Sequence, residues 1–475
     1  MNLQPLLLDM ALTVGVLLVL IADLLLPADQ KRGLGALSVI VVLAVLGMSF
    51  IVDVSGTTFG GSFATDELAL FLKRTFLAAG ALALLGAIDA ADEQFPARQG
   101  EYYLLIMFSL LGMTLLSGAR ELVLLVVCFE LMSLPLVLLA AYGKTGDAAP
   151  EAGLKLYLVG AVSTAVTLFG LSLLYGATGT TLIEGLANGA GGVASPIFIL
   201  GFLTVLGGMG FKLGVVPFHM WVPDTYQGAP TTFVAFLSVA PKIAGFAALI
   251  RIFLEGLSNY AEHWAPIALF ICVLSLVLGN LFAIRQENTK RLLAYSGVAH
   301  VGLMLAGLAM GTKEGLAMLL FYLVAYLFTN MGAFLVQAVV GHSSGTQDIS
   351  AYDGLARRAP GLAMAMLLFL LSLGGIPFVA GFWAKLYLFI AAWQAGLGWL
   401  VFLGAVMAVL ALFYYLRVAR AMYMNPSDEH AVAPKLGLPT RMALIIATAG
   451  IVLMGVFPNA ILEPALSAAA QLLGQ

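Results

Sequence analysis

Cysteine and charge are what this sequence has least of. Its 475 residues include two cysteines and five histidines, and only 10% are charged. Cys128 and Cys272 fall in different apolar stretches. They offer neither a zinc-ligand spacing nor the four ligands of an iron–sulfur cluster, and they read as buried thiols. No haem-ligand pair is evident, and no glycine-rich loop opens a helix in a βαβ setting. No cofactor or metal is expected in this chain, so any electron transfer must reside in partners. Nothing in the composition suggests nucleic-acid binding. Lys and Arg are also missing ahead of the first apolar run, MNLQPLLLDMALTVGV, and no small-residue cleavage pattern follows it. The run is expected to be a retained first helix, not a signal peptide.

Hydrophobicity is what the chain has in excess. At 61% apolar it is no ordinary soluble domain. Helix-length apolar runs continue from Leu6 to Leu462, which predicts an all-α polytopic membrane protein in the lipid bilayer with about fourteen transmembrane helices. The stretches 196–221, 230–252, 360–393 and 441–462 are each read as one span. Residues 1–100 hold helices 1–3, 101–255 a first group of five and 256–424 a second group of five. Residues 425–475 hold a loop and a last helix.

Lys and Arg are distributed unequally between alternate loops. One set carries Lys31, Arg32, Arg98, Lys144, Arg285, Lys290, Arg291, Arg357, Arg358, Arg417, Arg420, Lys435 and Arg441. The other keeps Arg120, Arg251 and Lys313 at helix ends, with Lys73 and Arg74 near the start of the third span. The positive-inside rule then puts the first set in the cytoplasm and both termini outside.

Subtracting these leaves a short set of intramembrane ionisable groups: Asp9, Asp23, Glu130, Lys155, Lys212, Lys242, Lys385 and His300. A lysine at the centre of a bilayer costs about 2.5–3.5 kcal/mol, so Glu130, Lys155, Lys212, Lys242, Lys385 and His300 are candidates for proton translocation. Lys155 is close enough to a helix end to snorkel; Lys212, Lys242 and Lys385 are not.

Two stretches share an unusual grammar. FLTVLGGMGFKLGVVPFHMWVPDTYQGAP (202–230) and LFLLSLGGIPFVAGFWAKLYL (368–388) both combine paired glycines, a proline (Pro217, Pro377) and a lysine. Helix breakers at membrane depth are tolerated only against protein or a hydrated cavity. Such paired interruptions point to an inverted repeat with ion sites at the breaks, and an odd number of spans per repeat gives the inversion.

Glu130, mid-helix in LLVVCFELMSLPL, supplies the opposite charge. A carboxylate or an ammonium buried alone is neutralised, whereas the two together can both stay ionised. Moving such a pair apart therefore changes the proton affinity of both members, which is a physical basis for a pump. Lys242 follows Pro241, which frees a carbonyl one turn back. His300 titrates near neutrality and can relay a proton either way. Tyr295, Ser296, Tyr326, Thr329 and Asn330 offer hydrogen bonds between these groups, and His219 follows the first break.

The runs FELMSLPLVLLAAY (129–142), EAGLKLYLVGA (151–161), GFKLGVVPFHMWVPDTYQGAP (210–230), SVAPKIAGFA (238–247), NTKRLLAYSGVAHVG (288–302) and GLARRAPGLAMAMLLFLLSLGGIPFVAGFWAKLYLF (354–389) carry a resemblance. They resemble the antiporter-like subunits of respiratory complex I, and within them the N type of bacterial NADH–quinone oxidoreductase, counterpart of mitochondrial subunit two. The resemblance implies fourteen helices with two inverted five-helix repeats, each with a broken helix. It implies proton translocation driven by quinone reduction elsewhere, with flavin, iron–sulfur clusters and quinone in partner subunits. The partners implied are an antiporter-like M-type subunit and small K- and J-type neighbours in the bacterial inner membrane.

Matched motif by motif, Glu130 takes the place of the family's helix-five glutamate and Lys212 that of the first broken-helix lysine. Lys242 stands for the central lysine and Lys385 for the second broken-helix lysine, where M-type relatives carry glutamate. Lys155 and Glu151 match a charged start to helix six. Three functions stay open on this reading: an energy-coupling subunit of complex I or of a ferredoxin-type relative, a subunit of a multi-subunit cation/proton antiporter, and a scaffold that conducts no ions. Buried lysines argue against the scaffold.

Overall fold

The computed structural model describes residues 2–27, 30–144, 146–189, 195–426 and 433–474. Among them, thirteen helices are long and apolar enough to cross a membrane. The fourteenth crossing is shared by two helices of 15 residues, Pro360–Gly374 and Ala380–Gln394, each too short to span alone.

In chain order the amino-terminal helices are α1 (Leu7–Leu25), α2 (Arg32–Ile51) and α3 (Glu67–Gln94). A small antiparallel hairpin, β1 (Gly56–Thr58) and β2 (Phe63–Thr65), joins α2 to α3 at the face opposite the Lys/Arg-rich loops. Six residues of strand in an apolar α-protein gave no period-2 signal and were not expected from the sequence. The first group continues as α4 (Gln99–Gly118), α5 (Leu122–Ala140), α6 (Ala148–Thr178), the short α7 (Ile183–Gly189), α8 (Pro196–Leu213), α9 (Trp221–Gly228), α10 (Thr231–Leu237) and α11 (Ala240–Leu249). The second comprises α12 (Ala261–Ile284), α13 (Thr289–Ala309), α14 (Lys313–Ser344), α15 (Leu355–Arg358), α16 (Pro360–Gly374), α17 (Ala380–Gln394) and α18 (Gly398–Met424). α19 (Leu438–Val456) and α20 (Asn459–Leu473) close the chain. Each group crosses an odd number of times, so the two copies run in opposite directions: this is the inverted-repeat, antiporter-like fold.

Polar side chains start the helices where the apolar runs begin. Asp66, Glu121, Ser195, Asn288 and Thr312 each accept from a backbone N–H three residues on, which satisfies one of the open donors of α3, α5, α8, α13 and α14. α10, α11, α13 and α14 are almost wholly buried, polar groups included, whereas α1, α2, α6, α18 and α19 form the periphery.

Both breaks use one device. α8 ends at Gly214 (φ 71°) and α16 at Gly375 (φ 84°), both left-handed positions that favour glycine. The N–H of Val215 donates to the Gly210 carbonyl, and that of Ile376 to the Leu371 carbonyl, giving the same helix-ending turn in each repeat. Pro217 and Pro377 follow and prevent the helix from resuming at once.

Three expected boundaries need correction. The stretch read as 196–221 stops at Leu213 and its second half runs on to Gly228, because the αL glycine, not the proline alone, sets the end. The stretch read as 230–252 is two helices broken at Ser238–Val239, with Pro241 in the first turn of α11, and it ends in a π-helical segment, Ile250–Gly256. The stretch read as 441–462 stops at Val456 before Pro458, and α20 is a separate helix that packs Ala465, Ala468 and Ala469 inward.

Candidate functional site

The residues singled out in the sequence form two groups in space. The first centres on the ion pair between Lys212 of α8 and Glu130 of α5, Nζ to Oε1 3.4 Å. Lys212 also donates to the Ser133 hydroxyl (2.9 Å), and the Thr164 hydroxyl of α6 donates to Glu130 (2.7 Å). Glycine makes this approach possible. A Cβ on Gly208 would lie 2.9 Å from the Thr167 nitrogen and 3.1 Å from the Ser163 carbonyl, so α6 and α8 touch backbone to backbone. Lys212 sits in the last turn of α8, where the helix dipole favours a cation. The carboxylate is not enclosed: Glu130 is 35% exposed and Lys212 12%. It shares its open face with Val123, Val127 and Leu134, all well exposed. An outward carboxylate on an apolar membrane face calls for a neighbouring protein surface.

Deeper in, Lys242 of α11 is buried and its Nζ has no hydrogen-bond partner among the described residues. It lies 5.8 Å over the ring of Tyr226. The hydroxyls of Tyr226 and Tyr326 and the Asn330 Oδ1 are likewise buried without protein partners among the described residues. Polar groups clustered in this way are the usual setting of internal water. Gly297 of α13 holds the cluster together, because a Cβ there would lie 3.0 Å from Lys242 Nζ and 2.9 Å from the Tyr326 hydroxyl. Asn330 donates to Ser238 at the α10–α11 break, 2.8 Å.

Tyr326 leads to His300, whose ring lies 5.5 Å from its own. His300 Nδ1 is 2.8 Å from the Tyr322 hydroxyl and Nε2 3.2 Å from that of Tyr415, which also meets Ser296 at 2.5 Å. His300, Tyr322 and Lys385 then line one small cavity with Asn280 and Tyr414. Lys385 of α17 donates back to the Leu373 (2.7 Å) and Gly374 (3.1 Å) carbonyls at the end of α16. Both broken helices thus hold an ammonium at the carboxyl end of their first half. In the first repeat the lysine belongs to that half, and in the second it reaches back from the other.

Other expected residues lie elsewhere. Lys155 and Glu151 pair at 2.7 Å near the end of α6 that bears the Lys/Arg-rich loops, and Lys155 is 41% exposed. Lys155 also meets Asp224 (3.1 Å), which accepts from Arg291 (2.7 Å). Burial alone would raise the Asp224 carboxyl, but the bonds from Arg291 and Lys155 outweigh it and hold the group below the usual carboxylate range. This network fastens α9 and does not join the buried row. Tyr295 packs with His219 and Phe282, ring centroids 6.2 and 5.5 Å away, and does not reach the His300 cluster.

Three charges assigned to loops or helix ends are in fact buried. Lys73 pairs with Asp9 (2.5 Å) and bonds Thr65 (3.2 Å). Arg251 grips Asp66 with two bonds of 2.7 Å and Glu255 with one of 3.0 Å. Lys290 is 1% exposed. Tyr322 was missed although it precedes Tyr326 by one turn on the same face of α14, a signal that was available. Tyr415, Tyr226, Ser133 and Thr164 carry no comparable mark in the sequence.

A sequence profile described as NADH:quinone oxidoreductase/Mrp antiporter, transmembrane, matches residues 119–411. The chain is 38% identical to NADH-quinone oxidoreductase subunit N of Desulforamulus reducens, covering 97% of each. It is 41% identical to the protein of that name from Heliobacterium modesticaldum over 94% of each. Among solved structures it superposes on a chain of respiratory complex I from Thermus thermophilus with a TM-score of 0.82 at 32% identity, covering 96% of this chain and 98% of that one. The Mrp complex from Dietzia gives a TM-score of 0.86 at 21% identity, a likeness of fold alone. With the fold, the two broken helices and these likenesses in agreement, the chain belongs to the NADH:quinone oxidoreductase/Mrp antiporter family, in its NADH-quinone oxidoreductase subunit N group.

Proposed function

We propose that this chain is a proton-translocating membrane subunit of NADH–quinone oxidoreductase, coupling quinone reduction in partner subunits to proton movement. The observation that carries the reading is the near-continuous row Lys242–Tyr326–His300–Tyr322–Lys385, with the Glu130–Lys212 pair at its side. While Glu130 faces Lys212, both charges are sustained. When the pair separates, Lys212 loses the charge that held its proton, which is released toward Lys242. Internal water and the tyrosine hydroxyls carry the proton onward to His300, whose two ring nitrogens accept on one side and donate on the other. Lys385, held by the free carbonyls of α16, takes it last and releases it. Each step moves one proton and leaves its donor neutral.

The reading includes residues 1–100 as an amino-terminal unit, 101–255 and 256–424 as the two repeats, and 425–475 as the carboxy-terminal segment. The chain lies in the bacterial inner membrane, with the Lys/Arg-rich face in the cytoplasm and both termini outside. Flavin, iron–sulfur clusters and quinone belong to partner subunits. An M-type and small K- or J-type subunits are its membrane neighbours, one of them covering Glu130. A separate cation/proton antiporter is less well supported, because that likeness rests on the family profile shared by both groups and on a fold at 21% identity, while the subunit N relatives match at 38–41% identity. The test is proton pumping by inverted vesicles containing the assembled complex. Lys242→Ala should abolish pumping; undiminished pumping would overturn the reading.

A further inference from the structure

The Lys/Arg-rich face carries a cavity of about 870 Å³, open to that side and walled by the ends of α3, α9, α10, α13 and α14. The two carboxylates in its described lining are already engaged: Asp89 accepts from Thr440 (2.7 Å) and Glu93 faces His342 (3.2 Å). Lys290, at the start of α13, is different. It lines the cavity and is 1% exposed. Its Nζ donates to the Ala229 (2.8 Å) and Gln227 (3.2 Å) carbonyls, which leaves one of its three donors over.

Its position along α13 is informative. Lys290 and Gly297 lie two turns apart on one face of that helix, about 10 Å along its axis. Gly297 is the residue against which Lys242 Nζ packs. A second route runs through α9, because Tyr226, beside Gln227, has its ring under Lys242 Nζ and its hydroxyl buried without a protein partner among the described residues. Lys290 on the cavity wall therefore shares two elements, α9 and α13, with the groups beside the central lysine.

We propose that Lys290 is the proton-loading residue of an inlet on this face, passing protons from cavity water to Lys242. The inference rests on the proton-translocating reading of Lys242. The neutral amine takes a proton from a hydronium ion in the cavity, leaving water. The resulting ammonium gives a proton to water beside Tyr226, which passes one to neutral Lys242, and the Lys290 amine is restored; Lys242 hands that proton to neutral Lys212 as Glu130 returns to it, which reloads the pair. The amino-terminal helix α3 supplies one wall of this inlet and so has a part in proton uptake.

The plain alternative is a lysine that merely caps the carboxyl end of α9. Lys290→Arg separates the two, since guanidinium keeps the cap but cannot release a proton. In inverted vesicles, with assembly checked on native gels, Lys290→Arg should lower pumping at least about tenfold. A parallel Lys242→Ala variant tests the underlying reading. If Lys242→Ala loses pumping and Lys290→Arg keeps the wild-type rate, the inlet is wrong and the reading stands. A second arm does not depend on the arginine variant assembling. Ala338→Cys on the cavity wall, modified by a cationic membrane-impermeant thiol reagent after assembly, should slow pumping more than about fivefold by electrostatic repulsion of incoming protons. Full labelling without any loss of rate overturns the inlet.

Discussion

Replacing Glu130 by glutamine preserves shape and the Thr164 bond while removing one charge of the Glu130–Lys212 pair. At 3.4 Å and an effective dielectric of about 20, the pair attraction is about 5 kcal/mol. Glu130 is 35% exposed and polar neighbours share both charges, so screening reduces that figure. A coupling energy of about 2 kcal/mol is a fair expectation, equivalent to roughly 30-fold in rate. Glu130→Gln and Lys212→Met should therefore each slow pumping by about 30-fold, through the same lost interaction. The double variant should be about as slow as the slower single one, far from the roughly 900-fold of independent effects. The assay is pumping per assembled complex in inverted vesicles, with quinone reductase activity measured in parallel. Losses that multiply would show that the two residues act separately, and the moving-pair mechanism would fail.

Four further outcomes follow from other parts of the molecule. Lys385→Arg preserves the charge held by the Leu373 and Gly374 carbonyls but cannot release a proton, so pumping should fall with both Arg and Ala; wild-type pumping by the Arg variant would make Lys385 a structural anchor. Cysteines at the exposed positions Gln30 and Arg357 should resist impermeant thiol reagents in intact cells, and ready labelling from outside would reverse the topology. Arg251→Met removes both short bonds to Asp66 and leaves Arg120 as the remaining cation beside Asp66 and Glu255, so it should destabilise the subunit by about 3 kcal/mol, seen as a lower melting temperature of the detergent-solubilised complex. Burial alone would raise the Asp66 carboxyl, but Arg251, the Ala69 N–H and Arg120 outweigh it and hold the group below the usual range. A group lowered in this way contributes stability fully above its unfolded value near about 4, and that stability is lost as pH falls through the folded value. Asp66→Asn should flatten the acid limb of the melting curve, and an unchanged limb would remove Asp66 from the acid response.

The sequence by itself determined the number of crossings, the two breaks and the chemistry at stake. Hydrophobic runs of spanning length have one stable outcome in a bilayer, and each lysine inside such a run is too costly to be incidental. Glu130, Lys212, Lys242, His300 and Lys385 stand out for that reason, without any knowledge of their neighbours. What the sequence could not decide was which charges are truly buried. Lys73, Arg251 and Lys290 sit near helix ends, where a lone chain would let them reach solvent. Only packing encloses them, against Asp9, against Asp66 and beneath the α9 carbonyls. The converse holds for Glu130, which is mid-helix yet lies at the edge of the subunit. The links of the row were also tertiary decisions. Tyr415 of α18 is 115 residues from His300, and even Gly297 and Tyr322, on the consecutive helices α13 and α14, meet the row only through the way those helices pack, which a one-dimensional pattern of apolar residues does not encode.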